Sequence, residues 1–351
     1  MKKRTLALLL ALAMCLSLAA CGGNKDTKPS DSGSSQTQPS DSQTQPSDSA
    51  PESKPITIKL QGAFAEGAEH YYYFEQFCKS VSERSNGSVT VVWGSGPEAI
   101  PSDQLAEAMQ NGIVELVYSP CTYLVSHSAG LRGVKLTDPS EMRANGGVEY
   151  INSIVSDTLN CQFLARVADA SPYVLTSTKE IKTLDDFKGM VFRGTAAHKP
   201  ILTSVGAEMT TMAWGDVYSA LERKVIDGAG GTIKDFVDNS LGDKIGYLID
   251  PGLYCSDASL FIANHVWEKL DDVQKQALVD SAIDWEKDSK THNEAQTAEN
   301  IAALEAAGTV VLKFEGEMRE QFIKGAYDAA WAEVEQAAPE IASEMRSYTS
   351  N

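Results

Sequence analysis

Short β-prone segments alternate with amphipathic helical segments along most of the chain, and this alternation constrains the fold more than any other feature. Strands are predicted at Ile56–Leu60, Val89–Trp93 and Val114–Tyr118. Helical periodicity lies between them and later runs almost unbroken over 272–307. Alternating strands and helices are typical of α/β proteins, in which helices cover a sheet. We therefore predict an α/β fold for residues 55–351.

The later half of the chain carries further predicted elements around one short strand. Thr183 is expected to cap a helical turn that Gly189 ends, and Met190–Arg193 follows as a strand. A helix is predicted at Trp214–Lys224 and a strand at Val225–Asp227.

The amino-terminal segment has the pattern of an export signal. Residues 2–4 are basic, an apolar run extends to Leu18, and small residues precede Cys21. The run is shorter than the roughly twenty residues that span a bilayer, but it suits a signal peptide. We predict a signal peptide at 1–20 and lipidation of Cys21. The alternative is an ordinary cleaved signal in which this cysteine is incidental.

The segment that follows the cysteine is predicted to be a disordered tether. Residues 21–54 are nearly all Ser, Asp, Gln, Thr, Pro and Gly, and they include an immediate repeat of the motif QTQPSDS. Such a composition buries no apolar surface. About thirty flexible residues reach on the order of 30 Å, which is enough to hold a domain away from a membrane.

Composition excludes several classes of function. The net charge of −18 argues against a nucleic-acid partner, because phosphate binding needs clustered Lys and Arg. An anionic ligand would have to be held by local positive groups. We find no nucleophile motif, nucleotide loop or histidine pair with metal-ligand spacing, and we predict no enzymatic activity, cofactor or metal. Cysteines 78, 121, 161 and 255 are far apart, and the sequence leaves open whether they pair.

One segment carries a resemblance to a known family. Residues 181–193 (IKTLDDFKGMVFR) resemble the T-x-x-D-x-K-G-x-x-x-R segment of solute-binding proteins of the DctP type, which serve TRAP (tripartite ATP-independent periplasmic) transporters. The likeness covers 55–351, and the order and spacing of its segments are specific. Further matching segments are GPEAIP at 96–101, NGIVE at 111–115, VGA at 205–207, WGDVYSAL at 214–221, VIDG at 225–228 and FIANHVWEKL at 261–270.

The resemblance implies a two-lobe periplasmic-binding-protein-like fold, with hinge strands and a long helix spanning both lobes. Lobe 1 would comprise about 55–170 and 259–298, and lobe 2 about 171–258 and 299–351. A small organic carboxylate, with dicarboxylates among the candidates, would bind in the cleft. The loaded protein, lipid-anchored at the outer face of the cytoplasmic membrane, would dock on two integral membrane subunits. A sensor that presents ligand to a membrane receptor kinase is the main alternative, and a surface hydrolase is a weaker one.

Arg193 is the principal site candidate. In the family, the arginine at this place pairs with the ligand's carboxylate, and a guanidinium offers a planar fork to that group. It follows a strand, where α/β folds place ligands. The alternative is a surface arginine paired with Asp185 or Asp186.

The other candidates are aromatic side chains and two glycines. Trp214, Tyr218 and Tyr254 are expected to line the cleft, although core packing explains Tyr218 nearly as well. Weaker candidates follow the first strands, at Tyr123 and Phe64.

The chain also departs from the family pattern. Many relatives have a second arginine where this chain has Ser171–Tyr173, and one branch has a metal-holding Glu followed by Trp where this chain has Gly230 and Gly231. We expect the two glycines to line a metal-free site and to leave room for a bulkier ligand or ordered water.

Overall fold

The computed structural model describes residues 53–67, 71–168 and 170–349. The predicted signal peptide, Cys21 and nearly all of the tether lie outside these residues. In the described ranges, no helix is both long and apolar enough to cross a membrane.

Two sheets form the framework, and their strands are numbered along the chain. The strands are β1 (Ile56–Gly62), β2 (Val89–Ser95), β3 (Leu116–Pro120), β4 (Cys161–Arg166), β5 (Tyr173–Ser177), β6 (Val191–Arg193), β7 (Glu208–Thr210), β8 (Gly228–Thr232), β9 (Tyr247–Asp250), β10 (Ala258–Ala263) and β11 (Val310–Lys313).

The helices cover both sheets. They are α1 (Phe74–Arg84), α2 (Leu105–Gln110), α3 (Pro139–Asn145), α4 (Gly147–Leu159), α5 (Lys199–Ser204), α6 (Trp214–Glu222), α7 (Ile233–Asp238), α8 (Asn264–Trp267), α9 (Asp272–Ala306), α10 (Gly316–Ala337) and α11 (Pro339–Arg346). Short 3₁₀ helices occur at Ser102–Gln104, Cys121–Tyr123, Ala129–Leu136 and Leu184–Phe187.

The first sheet has the strand order β2-β1-β3-β10-β4. β1 is parallel to β2 and β3, whereas β10 is antiparallel to β3 and β4. Along β1, buried apolar residues such as Ile58 and Leu60 alternate with exposed ones, and these two belong to the same core cluster as Trp285 of α9.

The second sheet has the order β11-β9-β5-β8-β6-β7. β8 lies between β5, to which it is antiparallel, and β6, to which it is parallel. Because β10 returns to the first sheet after β9 in the second, the chain passes between the sheets more than once. Two sheets connected in this way confirm the predicted two-lobe α/β fold.

The long helix α9 connects the two halves. Asp271 and Gln274 form a capping box at its start, with Gln274 N donating to Asp271 Oδ1 at 2.9 Å. Thirty-five residues give a helix of about 50 Å. It contacts α1 and β4 of one half and α7 and β11 of the other, as predicted for a helix spanning both lobes.

The last helices pack on both halves as well. α10 contacts α5, which follows β6, and also the 3₁₀ helix Ala129–Leu136. Trp331 of α10 and Met345 of α11 are buried in a core cluster that includes Leu131 and Phe192. The exact lobe boundaries remain a prediction.

One predicted strand is wrong. Residues 225–227 precede the strand, and Val225 is exposed; the strand itself is β8, with the sequence GAGGT. Patterns of β-branched and aromatic residues do not find such a strand. Its glycines are required because neighbours approach closely: a Cβ on Gly228 would lie 2.0 Å from the carbonyl oxygen of Thr176.

The thiols of Cys78, Cys121 and Cys161 form no disulfide in the part of the chain that the structure describes. Burial raises the pKa of all three thiols, to about 12 for Cys78, so they have little thiolate character.

Candidate functional site

Arg193 ends β6 and is buried, with only 5% of its surface exposed. Its Nε donates to the carbonyl oxygen of Met212 at 3.3 Å, and one terminal nitrogen donates to that of Gly230 at 3.0 Å. Among the described residues, no carboxylate forms an ion pair with this guanidinium. Burial lowers the pKa of Arg193, and the nearby charge of Asp235 partly offsets this effect.

The alternative interpretation of Arg193, as a surface residue paired with Asp185 or Asp186, does not describe this structure. Asp185 instead pairs with Lys188 at 2.7 Å. Asp186 closes the capping box of the turn at Thr183, accepting its backbone N–H at 2.8 Å.

Trp214 and Asp235 complete the surroundings of the arginine. The guanidinium carbon lies 3.8 Å from the centre of the Trp214 ring, a cation–π contact that fixes the plane of the fork. Asp235 is already engaged, since its Oδ2 accepts the N–H and hydroxyl of Thr232 at 2.7 and 2.8 Å in the capping box of α7. The structure therefore brings Arg193 and Trp214 together, and their contact with a ligand stays a prediction.

Gly230 and Gly231 lie in β8 beside the arginine, but they do not leave open space. A Cβ on Gly230 would come within 2.4 Å of the His198 ring, and a Cβ on Gly231 within 2.7 Å of the Trp214 ring. The expectation of room for a bulky ligand or water at these glycines is wrong, because two rings fill that volume.

His198, which the sequence did not single out, packs against Gly230 and is only 2% exposed. Its Nδ1 accepts the backbone N–H of Thr195 at 3.2 Å, which places the ring proton on Nε2. Nε2 is buried and has no hydrogen-bond partner among the described residues. Burial, together with the smaller effect of the charges of Arg193 and Lys135, lowers the pKa of His198 to about 3, so the imidazole is neutral.

Tyr173 and Tyr254 continue the aromatic wall from His198. The Tyr173 ring lies edge-on to the imidazole at 4.9 Å and 6.1 Å from the Tyr254 ring. The hydroxyl of Tyr254 donates to the carbonyl oxygen of Ala197 at 2.5 Å, and burial raises the pKa of Tyr254. The predicted Tyr254 thus supports the wall with its ring and fixes the loop after β6 with its hydroxyl.

A cavity of about 660 Å³ adjoins this wall. Its lining comes from both halves of the molecule: the loop after β3, the 3₁₀ helix 129–136, the start of β5 and the loop after β6, with α10 along one side. The charged lining residues are Arg132, Lys135, Lys199, Asp257 and Glu333, and Tyr123 and Tyr173 contribute aromatic rings. A cavity of this size accommodates a small organic molecule.

The remaining candidates are placed differently. Tyr123 lines the cavity and is 37% exposed. Phe64 packs on Tyr118 with ring centres 6.2 Å apart and does not line this cavity. Tyr218 lies on the outer side of α6, where its hydroxyl contacts Asp243 and its ring contacts Lys244, so the structure does not bring it to Arg193.

A smaller cavity of about 160 Å³ lies beside α9. It is lined by Tyr72, Tyr73 and His292 and by polar residues of α7. Of the predicted site residues, Tyr123 lines the larger cavity and none lines the smaller one, while Arg193, Trp214 and Tyr254 line neither. In the described residues, no group of three or more His, Cys, Asp or Glu side chains is arranged to hold a metal ion.

Sequence reasoning missed His198, Lys135 and Asp257. His198 stands five residues after Arg193, and this closeness in the sequence could have marked it as a candidate. Lys135 lies in a 3₁₀ helix for which no periodicity was found, and Asp257 precedes β10, which was also not predicted.

Two α/β halves joined by a long helix, with a large aromatic and charged cavity lined from both, define the class of two-lobe solute-binding proteins. A family model described as bacterial extracellular solute-binding protein, family 7 (DctP) matches residues 146–337. The chain belongs to this family. The expectation of a TRAP-type solute-binding protein is confirmed, and the family is one of extracytoplasmic binding proteins rather than enzymes.

Known proteins support the same assignment. A monocarboxylate 2-oxoacid-binding periplasmic protein of Nostoc sp. is 22% identical over 267 residues, which cover 72% of this chain and 72% of that protein. A TRAP periplasmic solute-binding protein from Ochrobactrum anthropi is 18% identical with a TM-score of 0.72, covering 84% and 95% of the two chains. Another from Desulfovibrio salexigens, with bound orotic acid, is 19% identical with a TM-score of 0.68, covering 83% and 97%. The structural likenesses, at this identity, establish the fold.

Proposed function

We propose that the protein captures a small organic carboxylate between its two halves, beside Arg193, and delivers it to the membrane subunits of a TRAP transporter. Arg193 pairs with the carboxylate, and Trp214 and Tyr123 contribute aromatic surface. The amino-terminal cysteine, Cys21, carries the lipid that holds the protein at the outer face of the membrane.

The state of Arg193 carries this proposal. A buried guanidinium without a carboxylate partner is costly, since desolvation of the charge is not compensated. Its second terminal nitrogen has no acceptor among the described residues. A ligand carboxylate supplies both the charge and the acceptors.

Similar proteins bind molecules of the same chemistry. The Nostoc relative is a 2-oxoacid-binding protein, and the Desulfovibrio structure contains orotic acid. Both ligands are small carboxylic acids, and both would present a planar carboxylate to an arginine fork.

A thermal-shift screen of organic acids tests the proposal. An acid at a hundredfold its dissociation constant should stabilise the wild-type protein by about 2.7 kcal/mol. Arg193→Ala should weaken binding of that acid by at least about 3 kcal/mol, because the carboxylate would be buried without a partner, and Arg193→Lys should recover only part of the loss.

The matched control is Arg223→Ala. Arg223 is an exposed arginine that follows directly after α6, and its side chain bonds only to Ser219 in the described residues. The Arg223→Ala variant should bind the acid with the same affinity as the wild-type protein. Equal affinities in the Arg193→Ala and wild-type proteins would contradict the assignment of Arg193.

A further inference from the structure

The cavity of about 660 Å³ is lined by three basic side chains that have no carboxylate partner. Arg132 and Lys135 belong to the 3₁₀ helix Ala129–Leu136, and Lys199 begins α5. Among the described residues, none of the three forms an ion pair, and the buried Nε of Arg132 also lacks a hydrogen-bond acceptor. Because a buried cationic donor without an acceptor is costly, a bound anion would stabilise this lining.

The spacing of Arg132 and Lys135 brings their side chains to one side of the 3₁₀ helix. Residues three apart are eclipsed in this type of helix, which has about three residues per turn. Burial lowers the pKa of Lys135, and the charge of Arg132 acts in the same direction. Two neighbouring like charges repel each other, whereas a small anion that contacts both is attracted twice.

The two acidic side chains of the cavity do not neutralise these cations. The charges of Asp257 and Glu333 act on Lys135, but neither carboxylate forms an ion pair or hydrogen bond with a basic side chain in the described ranges. Asp257 is buried and accepts the backbone N–H of Cys121 at 3.2 Å. Burial raises the pKa of Asp257 and so disfavours its charged form. The lining therefore has an excess of positive charge.

Arg193 faces the opposite side of the second sheet from this cavity. Trp214 and His198 pack against consecutive glycines of β8, and consecutive residues of a strand face opposite sides of a sheet. Arg193 stacks on Trp214, whereas Tyr173, which lines the cavity, lies against His198. A carboxylate bound to Arg193 would therefore leave the cations of the cavity unpaired.

We propose that this cavity is a second ligand site, separate from that of the organic carboxylate, and that it binds a small phosphate monoester. Such a group carries about −1.5 to −2 charges at pH 7 and several acceptor oxygens. It matches the fork of Arg132 and the ammonium of Lys135 better than a single carboxylate does. The rest of the cavity, with the hydroxyls of Thr122 and Thr195, has room for the organic part.

Titration calorimetry in phosphate-free buffer at constant ionic strength tests the site. The probes are inorganic phosphate and glycerol phosphate. Glycerol, which is uncharged, and dimethyl phosphate, which carries a single charge, are the ligand controls. The wild-type protein should bind glycerol phosphate at least about tenfold more tightly than dimethyl phosphate, and it should not bind glycerol.

Substitutions in the cavity should weaken binding of glycerol phosphate according to the burial of the charge that they remove. Lys135→Met and Arg132→Met should each cost at least about tenfold in affinity. Lys199 is exposed, so Lys199→Met should keep the fold and cost a smaller factor, because solvent screens its charge. Urea unfolding without ligand shows whether each variant is folded.

Two further variants are matched controls that should bind glycerol phosphate like the wild-type protein. Lys287→Met removes an exposed lysine of α9 that lines neither cavity. Arg193→Ala removes the contact proposed for the carboxylate and leaves the cations of the cavity in place.

Three results would overturn the inference. The first is that neither probe binds the wild-type protein, and the second is that all three cavity variants bind as tightly as the wild type. The third is that binding is lost in Arg193→Ala and kept in Lys135→Met, because the phosphate would then occupy the carboxylate site. None of these results contradicts the proposed function, which depends on the binding of organic acids by Arg193.

Discussion

At the scale of single residues, burial sets the chemistry of the site. His198 is neutral because its surroundings exclude water and contain two cations, and its folded-state pKa of about 3 lies below the ordinary value of 6.5. Between these two values the unfolded chain binds a proton that the folded protein does not. Stability from this group is therefore complete above about pH 6.5 and is lost as the pH falls towards 3.

The difference between the folded and unfolded pKa of His198 predicts a pH dependence of stability, and substitution of His198 should remove it. Between pH 6 and 4, the free energy of unfolding should fall by up to about 1.4 kcal/mol per pH unit more in the wild-type protein than in His198→Asn. Asn can still accept the N–H of Thr195 but does not titrate. Urea unfolding at several pH values measures the difference, and exposed His127→Asn serves as the control. Parallel curves for wild type and His198→Asn would show that the imidazole is not kept neutral.

The residues of the site were predictable in part, and the limit has a physical cause. Arg193 and Trp214 were singled out as candidates because they stand in segments whose spacing resembles a known family. Lys135 and Asp257 were not, because their importance comes from the cavity and not from their neighbours in the chain. A lysine in a loop-like segment has the same local pattern whether it faces water or a ligand.

At the scale of elements, β8 shows where sequence patterns fail. A central strand rich in glycine has low intrinsic β propensity, yet it forms because its neighbours β5 and β6 pair with it on both sides. By contrast, α9 was predicted with nearly its observed bounds, since its length and its capping residues are local properties. Tertiary contacts determine the first element, and the local sequence determines the second.

Packing at β8 makes a prediction for Gly230. Gly230→Ala should destabilise the fold by roughly 1–3 kcal/mol, because its Cβ would overlap the His198 ring at 2.4 Å and displace the wall of the site. Gly215→Ala is the control: it lies in α6 with no atom within 4 Å of the added Cβ, and it should be neutral or stabilising by up to about 1 kcal/mol. Urea unfolding of both variants tests the pair. Equal stability of Gly230→Ala and the wild type would mean that the His198 ring moves freely.

At the scale of the whole molecule, the sequence predicted the architecture better than its internal arrangement. The alternation of strands and helices and the order of the family segments sufficed for two α/β lobes and a spanning helix. They did not predict that α10 and α11 would pack against the 3₁₀ helix 129–136 as well as α5. Contacts between segments some two hundred residues apart depend on surface shape, which hydrophobic periodicity alone does not specify.

A cavity lined from both lobes implies a change of shape on binding. The ligand cannot be enclosed and later released to the membrane subunits unless the two lobes move relative to one another. Small-angle scattering should therefore give a smaller radius of gyration with the acid that stabilises the protein most than without it. Arg193→Ala should keep the larger radius at the same acid concentration, because it lacks the contact that links ligand to the second sheet. Identical scattering of the free and saturated wild-type protein would mean that the lobes are already closed without ligand, and that loading is not signalled by closure.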